Sequence, residues 1–345
     1  MRRILLVVFI VLALIAGFFA WIFLGSATGF KSEVKYLYIP SDSATKESVI
    51  RQIEKDSIYH TRSFTWLAER RGYWNNIKPG KYKIAKGDNL LTIVRRLRNG
   101  QQEPVNIVIL KFRTREALAG AIGKKLETDS AAFVSFLNNR DSIASYDVDT
   151  NNVMTIIFPD TYTYFWNTTP RKIVNKFYEA YKNVWTEERR NKATAHGLTP
   201  ANAYILASII EEETNYPADK PLMASVYLNR MNKGMRLGAD PTVKFALRDF
   251  ELKRIYEKHL VVESPYNTYR VTGLPPGPIC TPSLETLDAV LNAPATDYLY
   301  FVAKSDFSGA HIFTASYDDH LKYAKEYQQA LNEQIEKRRA KEETD

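Results

Sequence analysis

The run Ile209-Ile210-Glu211-Glu212-Glu213-Thr214 sets three carboxyl groups side by side at the end of an apolar segment. Carboxyls so placed can do general acid–base chemistry if one of them is held against an apolar wall. Loss of hydration then disfavours the charged form and keeps the proton on near neutral pH. Thr199 and Pro200 read as N-cap and first helical residue, and Ala201 to Thr214 holds no interior Gly or Pro, so one helix is expected. At about 100° per residue, Ile205, Leu206, Ile209 and Ile210 centre near 70° on the helical wheel, and Glu213 falls at about 80°. Glu212 grazes the stripe at roughly −20°, whereas Glu211, at about 240°, is expected to face solvent. Glu213 is therefore the carboxyl placed for burial, either as a general acid or as an ordinary helix-end glutamate.

Other residues could assist. Pro265 to Pro282 contains five of the 15 prolines with Tyr266, Tyr269, Gly273 and Gly277, a stiff loop whose tyrosine faces suit a sugar ring, or a purely structural one. Asp240, before Pro241, reads most simply as a helix cap and is also the obvious second carboxylate. Asn229 follows Leu222 and Val226 on a buried stripe, so its amide needs a partner, either substrate or a backbone group. The five histidines lie far apart and Cys280 is the single cysteine, so no metal site, cofactor or intrachain disulfide is expected, and Cys280 reads as a small packed residue. There is no nucleophile elbow, phosphate-cradling glycine loop or dinucleotide fingerprint.

The elements that must position these groups begin with Arg2 and Arg3 ahead of an uninterrupted apolar run from Ile4 to Leu24. That is long enough to cross a bilayer, and its bulky Phe18, Phe19, Trp21 and Phe23 make a poor cleavage site, so an anchor is expected over a signal peptide. Basic residues before the span place the N-terminus in the cytoplasm and the body outside. The net charge of +8 then points to anionic lipid head groups or an acidic wall, not nucleic acid. Tyr36–Ile39 suggests a strand, residues 45–72 two helices, and Lys81–Ala85, Asn89–Arg98 and Val105–Leu110 a strand, a basic amphipathic helix and a strand. Helical patterns fill 114–139 and 170–195, and three helices follow in 199–247. Tyr298–Ala303 and His311–Ala315 read as a hairpin, with a charged helix from Asp318 to Asp345.

Several ordered motifs resemble one family. Leu206-Ala207-Ser208-Ile209-Ile210-Glu211-Glu212-Glu213-Thr214, Ala224-Ser225-Val226-Tyr227-Leu228-Asn229-Arg230, Gly234-Met235-Arg236-Leu237 and Asp240-Pro241-Thr242-Val243 resemble the endolytic murein transglycosylases of the MltG (YceG-like) family. Phe158-Pro159-Asp160-Thr161-Tyr162, Tyr266-Asn267-Thr268-Tyr269, Gly273-Leu274-Pro275-Pro276-Gly277-Pro278-Ile279, Tyr298-Leu299-Tyr300-Phe301-Val302 and His311 with Phe313 follow in the family's order, so the likeness spans residues 155–320. Tyr82 to Ile93 resembles the opening of a LysM module, although the chain passes from Gly100 to Val105 without a second helix.

The resemblance implies cleavage of the β-1,4 bond between MurNAc and GlcNAc within peptidoglycan strands, leaving a 1,6-anhydro-MurNAc end, on nascent strands. It assigns the catalytic role to Glu213 and substrate contacts to Asn229, Asp240, Thr242, Tyr266, Asn267, Thr268 and Tyr269. Cell-wall synthesis proteins are the expected partners. The expected fold is α+β: a cytoplasmic stub (1–3), a transmembrane helix (4–24), a membrane-proximal LysM-like region (25–110) and a helical connector (111–154). A mainly helical catalytic domain with a β-hairpin or small sheet (155–330) and a charged tail (331–345) complete it. The rivals are a glycan hydrolase with Asp240 or Glu263 as second carboxylate, and a non-catalytic membrane-anchored wall-binding scaffold.

Overall fold

The computed structural model describes residues 2–342 and divides into two compact units. The first comprises Met1–Ile107, Ala121–Ser130 and Tyr162–Pro170, and the second Val108–Gly120, Ala131–Thr161 and Arg171–Asp345. Residues 121–130 of the expected connector thus group with the first unit and the rest of it with the second.

Helix α1 (Arg2–Leu24) is apolar on every side after Arg2 and Arg3, none of it is buried, and it is long enough to cross a membrane. After it come β1 (Val34–Ile39), α2 (Lys46–Lys55), α3 (Thr61–Arg70), β2 (Gly80–Ala85), α4 (Leu90–Asn99) and β3 (Pro104–Ile109). The boundaries of α4 follow from its ends. The Asn89 side chain accepts a hydrogen bond from the Thr92 amide at 2.9 Å, and Gly100 closes the helix at φ 68°, a conformation that costs a glycine little. Leu90, Ile93, Val94 and Leu97 then fall on one buried face, packed with Leu37, Ile39 and Ile84 of β1 and β2. β1 and β2 pair antiparallel, Val34 opposite Ala85, whereas β3 pairs with β4 (Asp160–Phe165). The two strands flanking α4 therefore lie in different two-stranded sheets.

The remaining helices are α5 (Arg115–Gly123), α6 (Ser130–Asn138), α7 (Arg140–Ile143), α8 (Pro170–Val184), α9 (Glu187–Ala195), α10 (Pro200–Glu213), α11 (Lys220–Asn232), α12 (Asp240–Leu247), α13 (Glu257–Leu260), α14 (Leu284–Leu291) and α15 (Tyr317–Glu342). A hairpin of β5 (Tyr300–Ala303) and β6 (His311–Thr314) precedes α15. Thr199 caps α10 by accepting from the Asn202 amide at 3.1 Å, with Pro200 in the first turn, as expected. Cys280 is buried, as expected, and its Sγ donates to the Ser208 carbonyl.

Helix α10 is the centre of the second unit. Ala203 to Ile210 are eight consecutive buried residues, so the helix is enclosed all round, not along one stripe. Ser208 uses its side chain inside the core, donating to the Ile205 carbonyl at 2.7 Å and accepting from the Ile279 amide at 3.0 Å, which ties the proline-rich loop to α10. Enclosure on all sides corrects the expectation that Glu211 faces solvent. Helix α14, opened by the Ser283 cap, packs on that side, and the pattern reading missed it. Its Ser283 donates to Glu211 Oε2 at 3.0 Å, Thr286 donates to the same oxygen, and Lys220 Nζ lies 3.4 Å away. Burial works against the charge on Glu211, but these donors hold its carboxyl below the usual range. Glu212 is paired on another side, with Lys111 at 3.1 Å and Arg113 at 2.8 Å.

Lys220, 6% exposed, is itself buried between Glu211 and Thr286, to which it donates at 2.7 Å. Lys220→Met removes one partner of a largely enclosed pair and is expected to cost about 3 kcal/mol, read as a lower urea midpoint. Adding Glu211→Gln should recover most of that loss, because the stranded carboxylate goes with it.

Candidate active site

Glu213 ends α10, and Thr214 leaves the helix in extended geometry (φ −143°, ψ 141°). Among the described residues no salt bridge includes Glu213, in contrast to Glu211 and Glu212. Its residue keeps partial exposure. Burial pushes its carboxyl up to about 7, and the nearby Asp240 charge adds to the rise. A hydrogen bond from Tyr227, with Lys244 and Arg230, opposes it. The balance leaves a carboxyl that can hold or release a proton near neutrality.

Tyr227, on α11, is the partner that the sequence reading passed over. Its hydroxyl donates to Glu213 Oε1 at 2.8 Å, and its ring is fully buried, edge-on to Phe301 of β5 at 5.9 Å. Burial and the neighbouring carboxyl push the phenol well above its ordinary value, so it stays a donor. A signal was available: a tyrosine inside the buried stretch Met223–Leu228 must find a partner for its hydroxyl. Arg230, one turn on, is engaged by backbone carbonyls, Nε to Leu299 at 2.7 Å and Nη1 to Leu237 at 2.5 Å.

Asp240 does not cap α12; Ala239 is the N-cap, and Asp240 is the first helical residue. Its Oδ1 instead accepts from the Tyr269 hydroxyl at 2.7 Å. Burial raises the Tyr269 phenol, and its bond to Asp240 raises it further. Asp240 and Tyr269 both keep partial exposure.

Three of the expected contact residues are enclosed by protein. Thr242, Asn267 and Thr268 have no exposed surface. The Thr242 and Thr268 hydroxyls are 2.8 Å apart, and Thr268 Oγ1 accepts from the Ala239 amide at 2.9 Å. Asn267 Nδ2 donates to the carbonyls of Leu260 at 2.9 Å and Val262 at 2.8 Å. These bonds dock the loop carrying Tyr269 onto the start of α12. Tyr266, partly exposed, packs its ring on Phe245 at 4.6 Å. The Asn229 amide finds backbone partners, donating to the carbonyls of Thr296 and Tyr298 at 2.9 Å each. Glu263 stands apart, its side chain 86% exposed and 3.4 Å from Arg270. Among the described residues, no group of three or more His, Cys, Asp or Glu is arranged to hold a metal ion.

The site thus brings together Glu213, Tyr227, Asp240 and Tyr269, from α10, α11, α12 and the loop after α13. The sequence model of the YceG-like family matches residues 37–326. A curated relative from Bacillus subtilis, named endolytic murein transglycosylase, is 30% identical over 318 residues, covering 86% of this chain and 85% of the relative. A protein of the same name from Streptococcus pneumoniae is 25% identical over 296 residues, 77% of this chain and 53% of that relative. The crystal structure of a YceG-like protein from Listeria monocytogenes is similar with a TM-score of 0.55 at 26% identity, covering 84% of this chain and 98% of that one. With the family model spanning most of its length, the chain belongs to the YceG-like family.

Proposed function

We propose that this protein is an endolytic murein transglycosylase in which Glu213 is the single acid–base group. The observation that carries the site is the contrast among the three glutamates: two are paired with cations, and the third is left to rise to about 7 with Tyr227, among the described residues, as its side-chain hydrogen-bond partner. As the acid, Glu213 gives its proton to the glycosidic oxygen as the C1–O bond breaks and positive charge develops at the MurNAc ring. As the carboxylate, it then takes the proton from the C6 hydroxyl as that oxygen closes on C1. No water is consumed and the product is a 1,6-anhydro ring.

Asp240 supplies negative charge that keeps the proton on Glu213 before the first step and favours positive charge on the sugar during it. Tyr269 and Tyr266 offer partly exposed faces for sugar contact. Thr242, Asn267, Thr268 and Asn229 are positioning residues, since their bonds hold the loops that carry these groups. Residues 155–330 are assigned as the catalytic part and residues 25–110 as a membrane-proximal LysM-like part. The N-terminus is assigned to the cytoplasm and the body to the outside, with nascent strands as substrate and cell-wall synthesis proteins as partners.

A second reading is kept because Asp240 lies within electrostatic reach of Glu213: a two-carboxylate hydrolase. Digestion of purified glycan strands separates the two. Anhydro ends are expected, and reducing ends heavier by one water would establish the hydrolase instead. Glu213→Gln should lower product formation roughly 10³-fold while the protein stays folded. Full complementation of a deletion by that variant would favour the scaffold.

The pH profile of kcat/KM should lose activity as pH rises through about 7, where the acid form is lost. Tyr227→Phe removes a donor that favours the carboxylate, so this limb should move to higher pH. Asp240→Asn removes a like charge, so it should move to lower pH. Stability follows the same group. Its upward shift favours the protonated fold, so that contribution is whole below the ordinary carboxyl pKa and lost as pH rises through about 7. Glu213→Gln should therefore gain up to ~3 kcal/mol on the wild type between pH 5 and pH 8 in thermal unfolding.

A further inference from the structure

The first unit carries a groove that this chemistry leaves unused. One part, a cavity of about 360 Å³, is bordered by Arg71, Arg95 and Arg98 with the polar Asn89 and Thr92. A second part, about 580 Å³, runs along Phe19, Ala20, Phe23 and Leu24 at the end of α1. Leu67, Arg71 and Leu91 border both, so the cationic and apolar parts are continuous. Among the described residues no carboxylate borders either one.

The three arginines are exposed, and no salt bridge among the described residues includes any of them. Nearby acids are engaged elsewhere, Asp88 with Arg96 at 2.5 Å and Glu69 with Lys46 at 3.6 Å. Like charges gathered around one cavity repel each other unless an anion joins them. The height of the groove says which anion. Ile4 to Leu24 spans about 31 Å as a helix, the thickness of a hydrocarbon core, so Leu24 stands at head-group level. Exposed Trp66 packs on Phe23 at 5.7 Å, as rings at a membrane surface do, with the Arg70 guanidinium over the Trp66 ring at 5.5 Å.

We infer that this groove seats an anionic phospholipid of the surrounding leaflet, its phosphate on Arg71, Arg95 and Arg98 and one acyl chain along Phe19, Phe23 and Leu91. The arginines supply charge-assisted donors to the phosphate, and the apolar part receives a chain that a free phosphate lacks. Bound lipid fixes the height of the first unit above the membrane independently of any event at Glu213.

The test uses the full chain in mild detergent, titrated with phosphatidylglycerol, phosphatidylcholine or inorganic phosphate, with bound lipid counted by native mass spectrometry. The wild type should retain phosphatidylglycerol in preference to phosphatidylcholine, and millimolar inorganic phosphate should not displace it. Replacing arginines by glutamine (R71Q, R95Q and R98Q, singly and together) should weaken retention by about fivefold per arginine, while the three lysine replacements keep most of it. Far-UV circular dichroism and the thermal unfolding midpoint of every variant should match the wild type, which shows that they are folded. Equal retention of the two lipids, unaltered retention in the triple glutamine variant, or displacement by inorganic phosphate alone would each overturn the inference.

Discussion

Three carboxyl groups stand at the end of a helix that has no free side, and each must be reconciled with burial separately. An ionised carboxylate taken out of water is tolerated only with donors or cations around it. Glu211 and Glu212 meet that demand, the first through Lys220, Ser283 and Thr286, the second through Lys111 and Arg113. The arrangement of α11, α14 and the segment before α5 around α10 can be read as the means of supplying those partners. Glu213 is left with a phenol in place of a cation. A phenol can support either state of the carboxyl, which a bound ammonium or guanidinium could not do without holding it ionised.

The neighbours of Glu213 act in opposition. Burial and the Asp240 charge raise its carboxyl, while Tyr227, Lys244 and Arg230 lower it. Groups that must serve as both acid and base work best when neither form is strongly preferred near the working pH. Asp240 can remain close because it is anchored by Tyr269 and belongs to a different helix, so the two carboxyls do not share one proton-bearing contact in the structure. The loop that carries Tyr269 is in turn held by the buried Thr242–Thr268 pair and by Asn267. The polar side chains of the motif thus fix the position of that loop.

Much of this was legible in the sequence, and the failures have physical causes. The long apolar N-terminal helix, the capped α4 and α10, and the final hairpin announced themselves through length, caps and periodicity. The wheel set Glu213 against an apolar wall, where burial raises its carboxyl, but misplaced Glu211, because one stripe was assumed where the helix is buried all round. Seeing α14 would have removed that error: Ser283 followed by Leu284, Leu287, Val290 and Leu291 is a cap and an apolar face. Strand β4 was hidden because its aromatic run carries no turn signal toward a partner, and β3 pairs with it across a long stretch of intervening chain. Asp240 looked like a cap because Asp-Pro so often opens a helix, and only tertiary structure could show that Tyr269 claims its carboxyl.

The hydroxyl bonded to Glu213 belongs to Tyr227, whose burial was legible in the sequence while its partner was not. Tyr227 lies 14 positions along the chain on the next helix, and sequence spacing says nothing about which hydroxyl meets which carboxyl when both elements are buried. The structural argument runs the other way. A fully buried tyrosine whose hydroxyl ends 2.8 Å from the unpaired carboxyl is a second polar group placed in an expensive environment for no packing gain that phenylalanine would not give. In the proposed mechanism its contribution is to orient one oxygen of Glu213 and leave the other for the sugar, so that the proton given and the proton taken pass through one defined position.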